Sequence, residues 1–165
     1  MPLLLLLVAA VILYFLFKNN SPAMKDRAAL PAGAKYAPPL PTSAPAHHWH
    51  DGGRYQTDVV VESAYQDAIR TLAGEHGDSK ANAKHQAILV PDDLNPYYDK
   101  AVAVFIDGRE VGYLDRDDAL RLRRKLGMKE LTGLPTSCDA VVRGGGLWEG
   151  KRLSYSVMLD IEPFD

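Results

Sequence analysis

The tightest constraint on the fold is a short hairpin in the middle of the chain. Two apolar stretches, AVAVFI (101–106) and EVGYL (110–114), flank Asp107-Gly108. Aspartate and glycine readily adopt the positive φ angles of a two-residue type I′ turn, which joins neighbouring antiparallel strands. Residues 101–114 therefore predict a β-hairpin, and the rest of the domain has to supply a sheet that accepts it.

Further strands and two helices are predicted around this hairpin. Short β-branched runs or alternating apolar residues predict strands over 57–62, 85–91, 137–143 and 152–162. A first helix should start where Ser63 and Gln66 fit a capping box, and Gly74 should end it. A second should start at Asp115 and run to about Leu126, with Gly127 after it.

The predicted element order, β-α-β-β-β-α-β-β, defines a mainly β, α+β fold. Two helices are too few for a doubly wound parallel sheet, so a small curled or closed sheet is expected, of the OB-like barrel type. The glycines at 144–146 fall between the last two strands and indicate a hairpin loop. No Walker or dinucleotide fingerprint is present in the sequence.

The N-terminus predicts a membrane anchor. Residues 3–17, LLLLLVAAVILYFLF, carry no charge, and the apolar run is close to the short limit for a spanning helix. We predict a transmembrane helix over 1–18. A cleaved signal peptide is the alternative, because 21–23 (Ser-Pro-Ala) resembles a cleavage site; the absence of a basic start and the bulky end of the run favour the anchor.

The charges after the apolar run predict its orientation. Four basic residues follow it: Lys18, Lys25, Arg27 and Lys35. Positive charge near a span tends to remain on the cytoplasmic side, so the expected localisation is a single-pass membrane protein with a cytoplasmic C-terminal domain. The only cysteine, Cys138, forms no internal disulfide, which agrees with a reducing compartment.

A change of composition predicts the domain boundary. Residues 19–56 are rich in Pro and Ala and lack a helical or alternating apolar pattern, so we predict a flexible linker there and a domain over 57–165. The linker contains three imidazoles, in His47-His48-Trp49-His50. Because no companion ligands stand at metal-site spacing, this segment is interpreted as a solvated linker end and no metal is predicted.

One block of spaced residues resembles a known family. The pattern consists of Val59, Val60, Glu62, Ser63, Tyr65, Gln66, Val90, Pro91, Asn95, Pro96, Tyr97, residues 101–104, Ile106, Gly108 and residues 111–114. Over about residues 58–162 the chain resembles the HIRAN domain family. Members of that family look like modified OB-type barrels, and in helicase-linked relatives the domain binds the free 3′ end of single-stranded DNA.

The resemblance implies a nucleic-acid-binding loop over residues 94–100, supported by the hairpin. Aromatic faces stack on bases, while an asparagine and a carboxylate can hydrogen-bond a terminal sugar hydroxyl. The candidate nucleic-acid-binding residues are Tyr65, Asn95, Tyr97, Asp99, Tyr113 and Arg116. Two departures stand out: the family commonly reads Asn-Pro-Tyr-Asp where Tyr98 takes the fourth place here, and basic and aromatic residues stand at positions 63 and 64 in the DNA-end binders.

Charge keeps other functions open. Residues 57–165 hold 14 Lys plus Arg against 19 Asp plus Glu, and an acidic domain gains little from counterion release unless its basic residues cluster. The second predicted helix contains a candidate basic strip of this kind: Arg116, Arg121, Arg123, Arg124 and Lys125. The same residues could instead be only the solvated face of the helix. The alternatives are a protein- or peptide-interaction module of the same fold and a structural envelope component.

Local chemistry supplies a purely structural alternative for the same loop. Asn95-Pro96 could be turn chemistry alone, with one of Tyr97 and Tyr98 packed as a lid over the barrel and the other simply exposed. Catalysis has less support, because no nucleophile–base arrangement or cofactor motif can be argued and Cys138 lies in a strand pattern typical of a buried, inert thiol. We therefore expect a binding module with no enzymatic activity, catalytic residue or cofactor.

Overall fold

The computed structural model describes residues 36–162. Within this range the strands are β1 (His48–Trp49), β2 (Thr57–Asp58), β3 (Ala81–Asp92), β4 (Ala101–Ile106), β5 (Arg109–Tyr113), β6 (Thr136–Gly144), β7 (Leu147–Trp148), β8 (Lys151–Arg152) and β9 (Tyr155–Leu159). The helices are α1 (Gln66–Ala73) and α2 (Arg116–Met128), and a 3-10 turn covers Glu62–Ala64. The predicted transmembrane helix over 1–18 lies outside the described residues.

The strands form one curled sheet and a small separate hairpin. The sheet order is β2-β9-β6-β3-β4-β5, with β1 also paired to β6, and β7 pairs with β8 alone. The long strand β3 turns the sheet, because its residues 81–89 pair with β6 while 87–92 pair with β4. The expected mainly β, α+β class with two helices and a curled, barrel-like sheet is confirmed.

The two edges of the curled sheet meet at one short segment after β2. The amide of Val59 donates to the carbonyl of Val157 in β9 at 3.0 Å. One residue later, Val60 and Tyr113 of β5 exchange both backbone hydrogen bonds, at 2.8 and 3.1 Å. Opposite this bridge stands Gly112, with φ +144°. A β-carbon there would lie 2.4 Å from the Val60 carbonyl oxygen, so only glycine allows the two edges to approach this closely.

The core fills the inside of the curled sheet and is sealed by the helices. All six residues of β4 are buried. The helix α1 buries Ile69, Leu72 and Ala73. The helix α2 buries Ala119, Leu122 and Leu126. The buried side chains of the helices join residues 102, 104 and 106 of β4 and buried residues of β3, β6 and β9 in one apolar cluster. Residues 103 and 105 of β4 belong to a second, smaller cluster with residue 90. Burying so much apolar area is the main favourable term that offsets the loss of chain entropy on folding.

Local turn and cap chemistry is confirmed at the hairpin and at α2. Asp107 and Gly108 have φ values of 48° and 71°, as a type I′ turn requires. The Asp115 carboxylate accepts a hydrogen bond from the amide of Asp118 at 2.8 Å and so caps α2. The helix then passes through Gly127 and ends at Met128, two residues later than predicted.

The predicted capping box at α1 is wrong. Val61 takes a left-handed conformation with φ 65°, which ends the predicted strand 57–62 early and starts the 3-10 turn. As a result α1 begins at Gln66, with no side-chain cap. The Gln66 amide instead pairs with Tyr155, accepting from its amide at 2.9 Å and donating to its carbonyl at 3.0 Å. Gln66 thus ties α1 to β9.

Part of the segment predicted as a flexible linker lies in the compact unit that contains the sheet, which includes residues from Tyr36 onward. The His47 carbonyl accepts from the Ser137 amide at 2.8 Å, and β1 pairs in parallel with β6 beside the end of β9. Trp49 is buried in the core. Long-range pairing with an open stretch of β6 compensates for the lack of any local pattern in this segment.

No helix within residues 36–162 combines the length and the apolar character that crossing a bilayer needs.

The bridge at Val60 leads to a stability prediction. We expect Gly112→Ala to lower the free energy of unfolding by about 2–4 kcal/mol, because the added methyl group collides with the facing backbone and an L-residue is strained at this φ. Gly127→Ala is the matched control: it lies in α2 with its nearest neighbour at 3.8 Å, and should raise stability by up to about 1 kcal/mol. Urea denaturation measures both, and a Gly112→Ala protein as stable as the wild type would contradict the argument.

Candidate functional site

The predicted binding loop is organised by a buried asparagine. The side-chain oxygen of Asn95 accepts hydrogen bonds from the amides of Tyr97 and Tyr98, at 3.0 and 3.2 Å. Its side-chain nitrogen donates to the Asp92 carboxylate at 3.2 Å. Only 5% of Asn95 is exposed. Asn95 therefore fixes the backbone of the loop, and it presents no free amide to a ligand in this conformation.

Asp92, which accepts a hydrogen bond from Asn95, has a second hydrogen-bond partner far away in the sequence. The hydroxyl of Tyr36 donates to the other carboxylate oxygen of Asp92 at 2.7 Å. Burial, followed by the Asp92 carboxylate, raises the pKa of Tyr36. Asp92 is itself buried. A continuous chain of hydrogen bonds thus runs from Tyr36 through Asp92 and Asn95 to the loop amides.

Two of the predicted tyrosines meet at a carboxylate. The hydroxyl of Tyr65 donates to Glu110 at 2.6 Å. Burial, followed by hydrogen bonding to Glu110, raises the pKa of Tyr65 and of Tyr113. The charge of Asp92 also contributes to the raised pKa of Tyr113, and the charge of Glu110 to that of Tyr36. We call Tyr36, Tyr65, Asp92, Glu110 and Tyr113 the tyrosine–carboxylate cluster.

Beside this cluster the loop presents two aromatic rings of different exposure. Tyr97 is 77% exposed. Tyr98 is half-buried and packs against the core. The guanidinium carbon of Arg116 lies 5.1 Å from the centre of the Tyr98 ring, in cation–π contact. We call Tyr97, Tyr98 and Arg116 the loop platform, since they offer an aromatic face and a positive charge at one place.

A second arginine holds the loop from the side of α2. Arg123 donates to the Asp93 carboxylate at 2.6 Å and to the carbonyl oxygens of Lys100 and Ala101, each at 2.8 Å. Its side chain is therefore committed to structure, which removes it from the basic strip considered for α2. Sequence spacing alone could not predict that Arg123, and not Arg124, binds the loop, because that role depends on contacts between residues distant in sequence.

The six predicted site residues fall into two groups. Tyr97, Asp99 and Arg116 are exposed, whereas Tyr65 and Tyr113 are half-buried and Asn95 is buried. The exposed Asp99 lies 3.8 Å from Lys100, its neighbour in the chain. Tyr36, Asp92, Tyr98 and Glu110 were not predicted. Alternation along β3 places Asp92 on the same face as Val90 and offered a signal for it, while nothing in the Pro-rich segment singled out Tyr36.

A strained segment precedes Tyr65 in the chain. Val61 is a β-branched residue in the left-handed region, which is uncommon and unfavourable. The next residue, Glu62, accepts a hydrogen bond from the Val157 amide. Burial raises the pKa of Glu62 to about 7, with the Val157 hydrogen bond acting in the opposite direction. Strain and a raised pKa therefore coincide at the closure of the sheet.

The described side chains include no group of three or more His, Cys, Asp or Glu placed to hold a metal ion. Cys138 is buried, and burial raises the pKa of its thiol far above the ordinary range. The prediction of a buried thiol in a strand is confirmed.

Comparisons with other proteins found no match to this chain. No family model, curated protein or solved structure gives a match to the chain. The resemblance to the HIRAN family therefore remains a prediction from the residues quoted above.

The role of Asn95 leads to a second prediction. Asn95→Ala should lower the free energy of unfolding by about 1–3 kcal/mol, because two loop amides lose their acceptor and the buried Asp92 carboxylate loses one of its two donors. Hydrogen exchange at the amides of Tyr97 and Tyr98 should become faster. Asn82→Ala, at an exposed position of β3, is the control and should stay within about 0.5 kcal/mol of the wild type. Unchanged exchange at both tyrosine amides would show that Asn95 does not fix the loop.

A third prediction follows from Glu62. Its pKa is about 7 in the folded protein and its ordinary value is 4.5, so between these values the folded state binds more protons than the unfolded state. Stability contributed by this group is present below about pH 4.5 and is lost as the pH rises through 7. Glu62→Gln can still accept the hydrogen bond from the Val157 amide. Its melting temperature should therefore fall less between pH 5 and pH 8 than that of the wild type.

Thermal unfolding followed by circular dichroism measures this difference. Glu75→Gln, at an exposed position just after α1, is the matched control and should follow the wild type at both pH values. Parallel curves for Glu62→Gln and Glu75→Gln would exclude Glu62 as the titrating group.

Proposed function

We propose that this domain binds single-stranded nucleic acid on the loop platform, with a free 3′ end as its preferred target. The observation that carries the proposal is the exposed ring of Tyr97, 77% accessible on a loop whose backbone is fixed from two sides. An aromatic face accepts any base by stacking, with about 1–3 kcal/mol per base. The proposal also rests on the resemblance to the HIRAN family.

The rigidity of the loop favours binding. Asn95 holds the amides of Tyr97 and Tyr98, and Arg123 holds the carbonyl oxygens of residues 100 and 101. The entropic cost of ordering the loop would therefore be small when a ligand stacks on Tyr97. Most of the stacking energy would then contribute to affinity.

Each exposed residue has a chemical role in this proposal. Arg116, already placed over Tyr98, would contact the phosphate that follows the stacked base. Asp99 would accept a hydrogen bond from the terminal sugar hydroxyl, as the resemblance implies. Tyr65 and Tyr113 would support the platform from the hairpin side, since their hydroxyls are directed to Glu110. Asn95 would act through the loop backbone.

We also propose that the predicted N-terminal anchor holds the domain at a membrane. The anchor over residues 1–18 and the cytoplasmic side of the C-terminal domain follow from the apolar run and the basic residues after it. We include both in the proposed function: a membrane-tethered, HIRAN-like module with an OB-like barrel that captures nucleic-acid ends near the bilayer and carries out no catalysis.

One observation favours an alternative function, which is binding of a protein or peptide. The hairpin of β7 and β8 projects exposed apolar side chains, with Trp148 66% and Leu147 41% accessible. Exposed tryptophan is typical of the anchors in protein interfaces. The excess of acidic residues in the domain also suits a basic peptide better than a phosphate backbone.

A titration of labelled oligonucleotides tests the proposed function. The full chain in a nonionic detergent is mixed with single strands that end in a 3′ hydroxyl or a blocking 3′ phosphate, and binding is followed by fluorescence anisotropy. We expect tighter binding of the free end and weaker binding as salt increases. Tyr97→Ala should weaken binding by about 5- to 100-fold, because one stacked base is lost.

Tyr97→Phe is the matched control, since it keeps the stacking face and should bind like the wild type. Equal, salt-independent titrations for free and blocked ends, or equal affinity of Tyr97→Ala and wild type, would refute nucleic-acid binding at the loop platform. A basic peptide that binds unless Trp148 is changed to Ala would then support the alternative.

A further inference from the structure

A second concavity lies at the other end of α2 from Arg116. It has a volume of about 470 Å³ and lies between the segment that contains β1 and the C-terminal turn of the helix. Its lining includes His47, Trp49 and His50 from the first segment and Lys125 and Lys129 from the helix. The sequence had assigned the histidine segment to a solvated linker, so this juxtaposition arises only in the folded chain.

The lining of this concavity contains several cationic or imidazole side chains. They are Lys125, Lys129, His47, His48 and His50, and the acidic residue of the lining is Glu162. Burial lowers the pKa of His47, and the nearby Lys129, His48 and His50 lower it further. Ammonium groups that line a concave site favour an anionic ligand.

The carbonyl oxygens at the end of the helix are occupied. Those of Lys125, Leu126 and Gly127 accept hydrogen bonds from the amides of residues 129–131. Unpaired carbonyl oxygens would give the helix terminus a partial negative charge. Because these acceptors are occupied, they oppose the binding of an anion less.

Trp49 adds a second, independent observation. Its ring is buried, with His47 edge-on at 4.4 Å and the Lys129 ammonium 5.9 Å from the ring centre. The indole Nε1–H of Trp49 is buried and has no hydrogen-bond partner among the described residues. A buried donor without an acceptor is unfavourable. A ligand oxygen, or a water bound together with the ligand, would supply that acceptor.

We propose that this concavity binds the phosphate group of a small phosphate monoester. A dianionic group matches the charges of Lys125 and Lys129, and its several oxygens can accept from ammonium, imidazole and indole donors at once. The volume exceeds that of a phosphate group alone, so the organic part of the ligand lies against Trp49 and Met128. This site is separate from the loop platform, and its function does not depend on nucleic-acid binding.

The composition of the chain provides a spectroscopic test. The sequence has two tryptophans, so Trp148→Phe leaves Trp49 as the only indole emitter in the full-length protein. This variant, in a nonionic detergent, is titrated with glycerol 3-phosphate and, separately, with phosphatidic acid in mixed micelles of the same detergent. We expect a saturable change of Trp49 emission, and broadening of the glycerol 3-phosphate ³¹P resonance. The source that saturates at lower concentration identifies a soluble or a lipid-borne phosphate.

Lysine variants locate the binding. Lys129→Ala should weaken the response about tenfold, because one charge-assisted contact is lost. Lys84→Ala, an exposed lysine of β3, should titrate like the parent protein. Potassium chloride at matched ionic strength should leave the emission unchanged. Absence of both the Trp49 response and the ³¹P broadening, an equal response to chloride, or equal affinity of the two lysine variants would overturn the proposal.

Discussion

The close approach of two backbones at Val60 and Gly112 is the constraint on which this structure depends. Val60 pairs with Tyr113 next to a glycine that leaves no room for a β-carbon. Because the neighbouring residue Val59 is bound to β9, this single point connects the first and last strands of the sheet order. The bridge fixes the position of Tyr113 and, together with the pairing of β3 to both β4 and β6, closes the curled sheet around the buried strand β4.

Local chemistry predicted most of the regular structure. The Asp107-Gly108 turn, the Asp115 cap and the apolar face of α2 depend on residues close in sequence, so their patterns are sufficient. The segment around Trp49 was missed because its order comes from β6, nearly ninety residues away. At α1 a suitable pair, Ser63 and Gln66, was present, but the backbone of Val61 and the partner Tyr155 determined another arrangement.

The candidate site shows the same division. The loop and its turn chemistry were predictable from Asn95-Pro96, but the sequence left open which of Tyr97 and Tyr98 would pack and which would be exposed. Their support was not: Asp92, Glu110 and Arg123 act through contacts that cross the sheet or join it to α2. Residue type predicted which chemistry could occur, and only the fold distinguished side chains that face solvent from those that hold the backbone.

The hydrogen bond between Tyr36 and Asp92 has a mechanical consequence. Tyr36 belongs to the first part of the compact unit and lies 56 residues before Asp92 in the sequence. A displacement of the backbone at Tyr36 acts within two hydrogen bonds of the Asn95 turn. The position of Tyr36 and the shape of the loop over residues 94–100 are therefore mechanically coupled.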